Sequence, residues 1–204
     1  MKIGIFFGGP SREREVSFAG GRTVYDNLNK ALFEPVPIFV DSLGNFILLD
    51  WQYVYKGTIR DFYPPVSELP DSPNGFQVYI ESLGQLADDQ LDKLISKVGK
   101  RVFPHQFRSL FDFAFLCLHG PYGEDGSIQG LLEWHQIPYS GSGILPSAIG
   151  INKMIQSALA RSLQFPKPAN FILTKDAWFT GDKSLFFEEV KEKVGIPLVV
   201  KAPQ

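Results

Sequence analysis

The sequence predicts an α/β protein whose open, mostly parallel sheet carries helices on both faces. Residues 2–7 and 113–118 are short apolar runs with the length and composition of strands buried on both faces. Each run is followed by a glycine-rich turn and then by a helical pattern. Ligands of open α/β sheets bind where parallel strands end in such turns. We therefore expect these two corners of the chain to share one cleft.

The overall composition indicates a globular protein and argues against several kinds of function. Apolar residues make up 44% of the 204 positions and charged residues 21%, which is enough for a sizeable core. The formal charge of −2, without any basic run, argues against nucleic-acid partners and anionic membrane surfaces. Cys117 is the single cysteine, which excludes an internal disulfide and fits a reducing compartment. No segment resembles a secretory signal or reaches transmembrane length, so we expect a cytoplasmic protein.

The first corner contains a strand, a GGPS turn and a helix over about 16–29. Glu13 and Glu15 stand at the start of this helix, where acidic side chains suit the helix dipole. Gly20 and Gly21 are poor helix formers, which predicts that the helix packs closely on the sheet.

The second corner is the stretch FDFAFLCLHGPYGEDGSIQG, residues 111–130. Its strand breaks at His119 and Gly120 and passes through a GEDG turn at 123–126. A helix is expected next, because the side chains at i, i+3, i+4 and i+7 are Ile128, Leu131, Leu132 and His135. His119 should lie at the carboxyl end of the strand, where ligands bind. A turn histidine bonded to local backbone explains the same spacing, and both interpretations stay open.

The segments between the two corners predict the rest of the sheet. Residues 33–40 predict a strand that Pro35 and Pro37 make irregular or place near an edge, with a hairpin into 46–49. The aromatic, proline-rich stretch 50–74 predicts an aromatic cluster beneath a long loop rather than a binding platform. The other expected elements are a short strand at 76–80 and a helix with the core-facing stripe Leu91, Leu94, Ile95 and Val98.

Residues 1–148 complete one α/β layer pattern, whereas residues 149–204 begin a second unit. The expected elements past the second corner are a short strand at Tyr139, helices at 144–151 and 152–163, a strand at 168–174, a helix capped by Asp182 and a strand at 196–201. The part after residue 148 is too small to close a second core. Either a partner covers it or the chain is part of a longer protein.

Four motifs resemble those of D-alanine–D-alanine ligases and occur in the order of that family. They are GGPSREREVS at 8–17, LHGPYGEDGSIQG at 118–130, PYSGSGILPSAIGINK at 138–153 and IPLVVK at 196–201. The resemblance implies an amino-terminal α/β substrate domain over 1–148, of the pre-ATP-grasp type, and the truncated start of an ATP-grasp central domain over 149–204. The first turn lacks the GxGxxG spacing, which disfavours a dinucleotide-dependent oxidoreductase.

The resemblance also implies a reaction. ATP would phosphorylate the carboxylate of one D-alanine, and the amine of a second D-alanine would attack the acyl phosphate, giving the dipeptide used in peptidoglycan. Mg²⁺ would assist the phosphoryl transfer, and the parent protein would be a homodimer. A D-alanine–D-lactate ligase, a D-alanine–D-serine ligase and a non-catalytic small-molecule-binding module remain alternatives.

The resemblance assigns roles to six residues. Glu13 would hold the ammonium of the first D-alanine, and His119 would lie beside its carboxylate as the second catalytic residue. Val16 and Gly120 would line the same subsite. Lys153 and Lys201 would contact the ATP phosphates, although a solvated surface role explains either lysine taken alone. The family's metal ligands lie beyond position 204, so the chain should hold no catalytic Mg²⁺ and should be inactive by itself.

Overall fold

The computed structural model describes residues 1–64 and 86–202. The strands are β1 Lys2–Gly8, β2 Glu34–Val40, β3 Phe46–Leu49, β4 Gly99–Val102 and β5 Phe113–Leu116. The helices are α1 Arg14–Asn27, α2 Asp88–Val98, α3 Phe107–Leu110, α4 Ser127–Trp134, α5 Ile144–Ile151, α6 Lys153–Ser162, α7 Lys175–Thr180 and α8 Lys183–Lys193. The chain separates into two compact units, Met1–Ala148 and Ile149–Gln204.

The five strands found in the described residues form one sheet in the first unit, in the order β4-β3-β2-β1-β5. Strand β1 pairs in parallel with both β2 and β5. Strand β3 is antiparallel to both of its neighbours, β2 and β4, so every strand except β3 runs in the same direction. The predicted α/β class with a mostly parallel sheet is therefore confirmed.

Each face of the sheet carries its own apolar core, because side chains alternate between the faces along a strand. Phe7 packs on one face with Phe18 of α1, at 5.7 Å between ring centroids. Phe6 packs on the other face with Phe107 and Phe111, at 5.6 and 5.5 Å. Phe6 and Phe7 are completely buried. β1 therefore contributes to both cores, and the loop that follows it starts from a buried strand.

Helix α1 packs closely on β1, as its glycines predict. A Cβ atom on Gly21 would lie 2.6 Å from the ring of Phe7, so only glycine fits at this crossing. Two other side chains of α1 bond to the segment after β3. Glu15 accepts a hydrogen bond from the N–H of Ile59 at 3.0 Å, and Arg22 donates to the C=O of Val54 at 2.7 Å. These bonds attach the loop after β3 to α1. Glu15 thus has the structural role that its position at the helix terminus suggests.

The described part of the aromatic stretch confirms a cluster beneath the loop. Phe62 and Tyr63 are buried and pack on Phe39 of β2, with centroid distances of 5.8 and 5.5 Å. Trp51 and Tyr55 stay exposed and contact each other at 6.3 Å. The predicted strand at 76–80 lies outside the described residues.

Strand β2 is central, which corrects the expectation that its prolines place it near an edge. β1 pairs along all of β2, whereas β3 pairs only with residues 38–40. Glu34 donates its N–H to Met1, and alternate residues of a parallel strand bond to the same neighbour. Pro35 and Pro37 fall between those positions and precede the segment that β3 reaches. Their missing N–H groups therefore remove no bond from either ladder.

Two predicted strands of the second unit are wrong. Residues 168–173 and 196–201 adopt no regular secondary structure, and the described part of this unit contains no sheet. A strand forms only where a neighbouring strand accepts its backbone hydrogen bonds. Of the helices, α5 spans the predicted residues and Asp182 caps α8 as expected, whereas α7 was not predicted. The side-chain oxygen of Asn152 caps α6.

The remaining elements of the first unit agree with the prediction or differ from it slightly. α2 buries the predicted stripe of Leu91, Leu94, Ile95 and Val98. The chain then enters β4, which the sequence did not predict. Tyr139 forms a single parallel bridge with Ala114 rather than a strand. The strand that begins the second corner ends at Leu116 rather than at residue 118, although Cys117 still donates its N–H to the C=O of Phe6 at 2.8 Å.

Candidate functional site

The first corner places Glu13 at the start of α1. Gly8 adopts φ +92°, and a Cβ atom there would lie 2.4 Å from the C=O of Val40, so the turn requires glycine. Beyond the turn, the Ser11 hydroxyl accepts a hydrogen bond from the N–H of Glu13 at 3.1 Å. The Glu13 side chain makes no capping bond to its own helix. Its carboxylate is exposed and, among the described residues, forms no hydrogen bond or ion pair. It is therefore available to a ligand.

The second corner folds against the first. Gly120 adopts φ +68°, and a Cβ atom on it would lie 2.7 Å from the Ser11 hydroxyl oxygen. Only glycine lets the two turns approach so closely. The N–H of Gly120 donates to Oε2 of Glu124 at 2.6 Å, which fixes that carboxylate across the turn. The other oxygen of Glu124, Oε1, lies 3.7 Å from Nδ1 of His119.

The two corners bring together three side chains that are able to bind a ligand. A carboxylate oxygen of Glu13, a carboxylate oxygen of Glu124 and an imidazole nitrogen of His119 lie within 4.8 Å of one another. Glu13 and His119 therefore lie within reach of one small ligand, which confirms that the corners share a cleft. What either residue does to a ligand stays a prediction.

The turn between His119 and α4 is stabilised by the Asp125 carboxylate. Its Oδ2 accepts from the N–H of Tyr122 at 2.8 Å and its Oδ1 from the N–H of Ser127 at 3.0 Å. Partial burial alone would raise the pKa of Asp125, but these backbone bonds and the Ser127 hydroxyl favour the ionised form and hold the pKa below its usual range. The GEDG turn is thus built around a carboxylate that is ionised at neutral pH.

Cys117 lies two residues before His119, and its thiol is partly buried. Burial raises the pKa of its thiol to about 11, because an apolar environment disfavours the thiolate. The thiol therefore stays protonated at neutral pH.

A largely apolar cavity of about 520 Å³ adjoins the cluster. Its walls come from the β2–β3 turn, from 118–123 and from α4, and include Leu43, Phe46, Leu118, Ile128 and Leu131. His119 lines this cavity, whereas Glu13 is not part of its wall. The imidazole therefore stands between a polar cluster and an apolar space.

The other predicted site residues differ in position. Val16 is 61% exposed on α1, and the N–H of Gly120 is already bound by Glu124. Any contact of Gly120 with a substrate would use its other atoms. Lys153 and Lys201 belong to the second unit and are both exposed. Their solvated surface role therefore remains open.

The residues described do not fit a catalytic Mg²⁺ site. In residues 1–64 and 86–202, the group of acidic, histidine and cysteine side chains close enough to coordinate a cation is Glu13, His119 and Glu124. Mg²⁺ prefers an all-oxygen set, and an imidazole is a ligand for softer cations.

Two functional candidates escaped sequence reasoning. Glu124 was treated only as part of the GEDG turn, although it lies beside His119. Ser17 was not considered as a candidate, although it is completely buried. The spacing of five residues from His119 within a glycine-rich turn could have indicated Glu124. No local pattern indicates Ser17, because its partners are distant in sequence.

The family of the chain follows from its amino-terminal part. Residues 2–142 match the family model described as "D-ala D-ala ligase N-terminus". The chain belongs to the D-alanine–D-alanine ligase family. Its relatives include the D-alanine–D-alanine ligases of Desulforamulus reducens, 33% identical over 205 residues, and of Caldicellulosiruptor bescii, 31% identical over 201 residues. These alignments cover 99% and 98% of the chain but only 46% and 50% of the relatives. The chain thus spans about half the length of the ligases it matches.

Solved structures of ligases share the fold. The D-alanine–D-alanine ligase of Coxiella burnetii matches with a TM-score of 0.62 at 22% identity, covering 94% of the chain and 50% of that protein. The VanG D-Ala:D-Ser ligase of Enterococcus faecalis matches with a TM-score of 0.59 at the same identity, covering 94% of the chain and 48% of that protein. At this identity the likeness shows the fold and does not choose between second substrates. Within residues 1–64 and 86–202, no helix is long and apolar enough to cross a membrane.

Proposed function

We propose that this chain supplies the first D-alanine subsite of an ATP-dependent D-alanine–D-alanine ligase that acts in cytoplasmic peptidoglycan synthesis. The observation that carries the proposal is the meeting of the Glu13 carboxylate with the His119 imidazole in a member of this family. An amino acid carries one ammonium and one carboxylate close together. A site of matching size therefore needs an anionic group and a donor or cationic group side by side.

In this proposal, Glu13 binds the ammonium of the first D-alanine. Its carboxylate has no partner among the described residues, so binding an ammonium breaks no existing bond. The bond from Ser11 to the N–H of Glu13 and the start of α1 fix the backbone beneath it. A charge-assisted hydrogen bond that this carboxylate accepts from the ammonium would supply a large share of the affinity.

His119 lies beside the carboxylate of that D-alanine and donates to it. ATP would phosphorylate this carboxylate, with ADP as the leaving group. When the amine of the second D-alanine attacks the acyl phosphate, negative charge would develop on its carbonyl oxygen until phosphate leaves, and a donor held in place stabilises such charge. Glu124 approaches Nδ1 from the turn side. Nε2 is then the nitrogen that serves the substrate.

The remaining roles belong to the complete ligase. Lys153 and Lys201 would contact the ATP phosphates, where a lysine serves as a point charge. Mg²⁺ would neutralise phosphate charge from ligands outside this chain. The residues that choose the second substrate would lie largely outside this chain, and the complete ligase would be a homodimer.

The subsite can be tested by titrating the purified chain with D-alanine and following the binding by NMR. We expect weak binding that favours D-alanine over L-alanine. Glu13→Gln should reduce the affinity by about 1–3 kcal/mol, the range for losing a hydrogen bond to a charged group. Glu15→Gln is the matched control, because its amide oxygen can still accept from Ile59 and keep the loop attached. Equal affinities for wild type and Glu13→Gln would contradict the role of Glu13.

The whole reaction can be tested with ATP, Mg²⁺ and D-alanine. Phosphoryl transfer needs metal, lysine and arginine groups acting together, so the chain alone should release no phosphate. Joining it to the carboxyl-terminal half of the Caldicellulosiruptor bescii relative should give ATP-dependent D-alanyl-D-alanine formation that Glu13→Gln impairs. Turnover by the chain alone that His119→Ala abolishes would show that the active site is complete without the second half. A D-alanine-binding chimera without any turnover would favour the binding-module alternative.

A further inference from the structure

Ser17 connects the two corners of the site through one hydroxyl group. It accepts a hydrogen bond from the N–H of Gly8 at 2.8 Å and donates to the C=O of Cys117 at 2.7 Å. Its own N–H donates to the C=O of Glu13 at 2.9 Å. The side chain is completely buried. A single residue therefore contacts the end of β1, the first residue of the site and the segment that leads to His119.

The hydroxyl occupies a place where the sheet would otherwise continue. β1 and β5 pair up to Phe6 and Leu116, and Cys117 donates its N–H to the C=O of Phe6. The same parallel pattern, continued by two residues, would pair the N–H of Gly8 directly with the C=O of Cys117. Ser17 instead stands between these two groups and bonds to both. The strands therefore separate at the point where the cleft begins.

We propose that Ser17 is a positioning residue that sets the spacing between the Glu13 carboxylate and the His119 imidazole by holding the ends of β1 and β5 apart. Glu13 lies one helical turn before Ser17, and His119 lies two residues after Cys117. A direct Gly8–Cys117 bond would bring nitrogen and oxygen to about 2.9 Å. That distance is shorter than any arrangement with a hydroxyl between them, so the ends of both corners would shift.

An ordinary buried serine would behave differently. If Ser17 only satisfied two buried backbone groups, its loss would lower stability and leave the site geometry and ligand affinity unchanged. The proposal adds a change in geometry. Its consequence for D-alanine binding rests on the proposed function, whereas the change in spacing does not.

The test compares crystal structures and D-alanine affinities of four variants with wild type. Ser17→Ala removes the bridge, and Ser17→Cys keeps nearly the same shape but bonds more weakly. Val98→Ala, in α2, shortens a buried side chain away from the site, and Thr23→Ala removes an exposed hydroxyl that bonds within α1. The first pair tests the bridge. The second pair reports general destabilisation and hydroxyl loss on the same helix.

We expect Ser17→Ala to move Glu13 and His119 relative to each other and to weaken D-alanine binding about tenfold or more, because small misplacements of binding groups are costly. Ser17→Cys should give a smaller loss, and it keeps the test available if Ser17→Ala does not fold. Val98→Ala should lower the unfolding midpoint without changing affinity, and Thr23→Ala should change neither.

An unchanged Glu13–His119 spacing in folded Ser17→Ala or Ser17→Cys, including one kept by a replacing water, would overturn the proposal. An equal loss of affinity in Val98→Ala would do the same. If wild type does not bind D-alanine, the proposed subsite fails, and the crystallographic spacing alone decides the role of Ser17.

Discussion

The two units of the chain differ in how their helices and strands are stabilised. Met1–Ala148 contains two apolar cores, one on each face of its sheet. In the second unit, Ile149–Gln204, none of the described residues is buried. The same unit nevertheless has well-capped helices: Asn152, Thr174 and Asp182 each accept hydrogen bonds from the first turn of a helix.

The difference separates local from tertiary stabilisation. A helix cap is worth about 0.5–2 kcal/mol and depends on residues within one turn. Burial depends on partners elsewhere, and most of the stability of a short helix in a protein comes from such packing. Large apolar side chains of the second unit remain exposed, among them Phe179 at 69% and Val200 at 87%. The described residues of the second unit thus have local stabilisation by helix caps but no tertiary stabilisation by burial.

The largest expected effect is seen when the two units are produced separately. Residues 1–148 should unfold in one cooperative transition, because they contain both cores. Residues 149–204 should show partial helicity and no cooperative transition, since they have no buried side chains to lose on unfolding. Circular dichroism during heating measures both. A sharp transition in the second fragment, at a midpoint independent of its concentration, would show that it closes a core of its own.

Exposed apolar residues in the second unit also favour self-association. A midpoint that rises with concentration in the same fragment would indicate that copies cover one another. Sedimentation of the fragment at two concentrations distinguishes this outcome from a monomeric core.

A smaller effect is expected when a glycine within a helix is replaced by alanine, and the sign of the change in stability should differ between the two units. Gly21→Ala places a Cβ atom 2.6 Å from the Phe7 ring, so it should destabilise the first unit by about 1–3 kcal/mol through overpacking. Gly150→Ala meets nothing within 4 Å, and it should raise helicity in α5 because alanine is favoured by about 0.5–1 kcal/mol over glycine. Urea unfolding measures the first change and circular dichroism the second. A neutral Gly21→Ala would mean that α1 can move away from the sheet at little cost.

The same division explains which elements could be predicted from sequence. α2 was predicted with its full apolar stripe, because the spacing of apolar residues within a short segment is enough to indicate a helix and its buried face. The Asp182 cap was predicted for the same reason. The strands expected at 168–174 and 196–201 were wrong because a strand depends on a neighbour, and β4 was missed because its pairing with β3 is set by the fold.

The candidate site was predictable in part. The glycine turns after two strands predicted a shared cleft with His119 at its edge, whereas the role of Glu13 was implied by the family resemblance. Parallel pairing of β1 with β5 brings the two turns together. Ser17 was not predictable, because its hydroxyl links Gly8 with Cys117, which lies 100 positions after Ser17 in the chain. Sequence patterns thus indicated which residues meet at the site, whereas the group proposed to space them emerged only from the fold.

The smallest expected effect is on the pH dependence of stability. It should differ between two aspartates, one in each unit, that accept similar backbone hydrogen bonds. Asp125 accepts from the N–H groups of Tyr122 and Ser127, and Asp182 accepts from those of Ser184 and Leu185. The pKa of Asp125 is lowered from its usual 3.8 in the folded protein. A carboxyl of this kind contributes stability above its unfolded pKa, and that contribution disappears as pH falls through the folded pKa. The group is largely solvated, so screening should keep the contribution below about 1 kcal/mol.

Asp125→Asn should therefore be less stable than wild type at pH 6, and the difference should shrink below about pH 4, where the unfolded wild-type carboxyl takes up its proton. Asp182→Asn should leave the unfolding of the first unit unchanged at every pH, because its bonds lie in the second unit. Urea unfolding of the three proteins between these pH values measures the difference. If the gap between Asp125→Asn and wild type stayed constant with pH, the ionised carboxylate would not be what stabilises the GEDG turn.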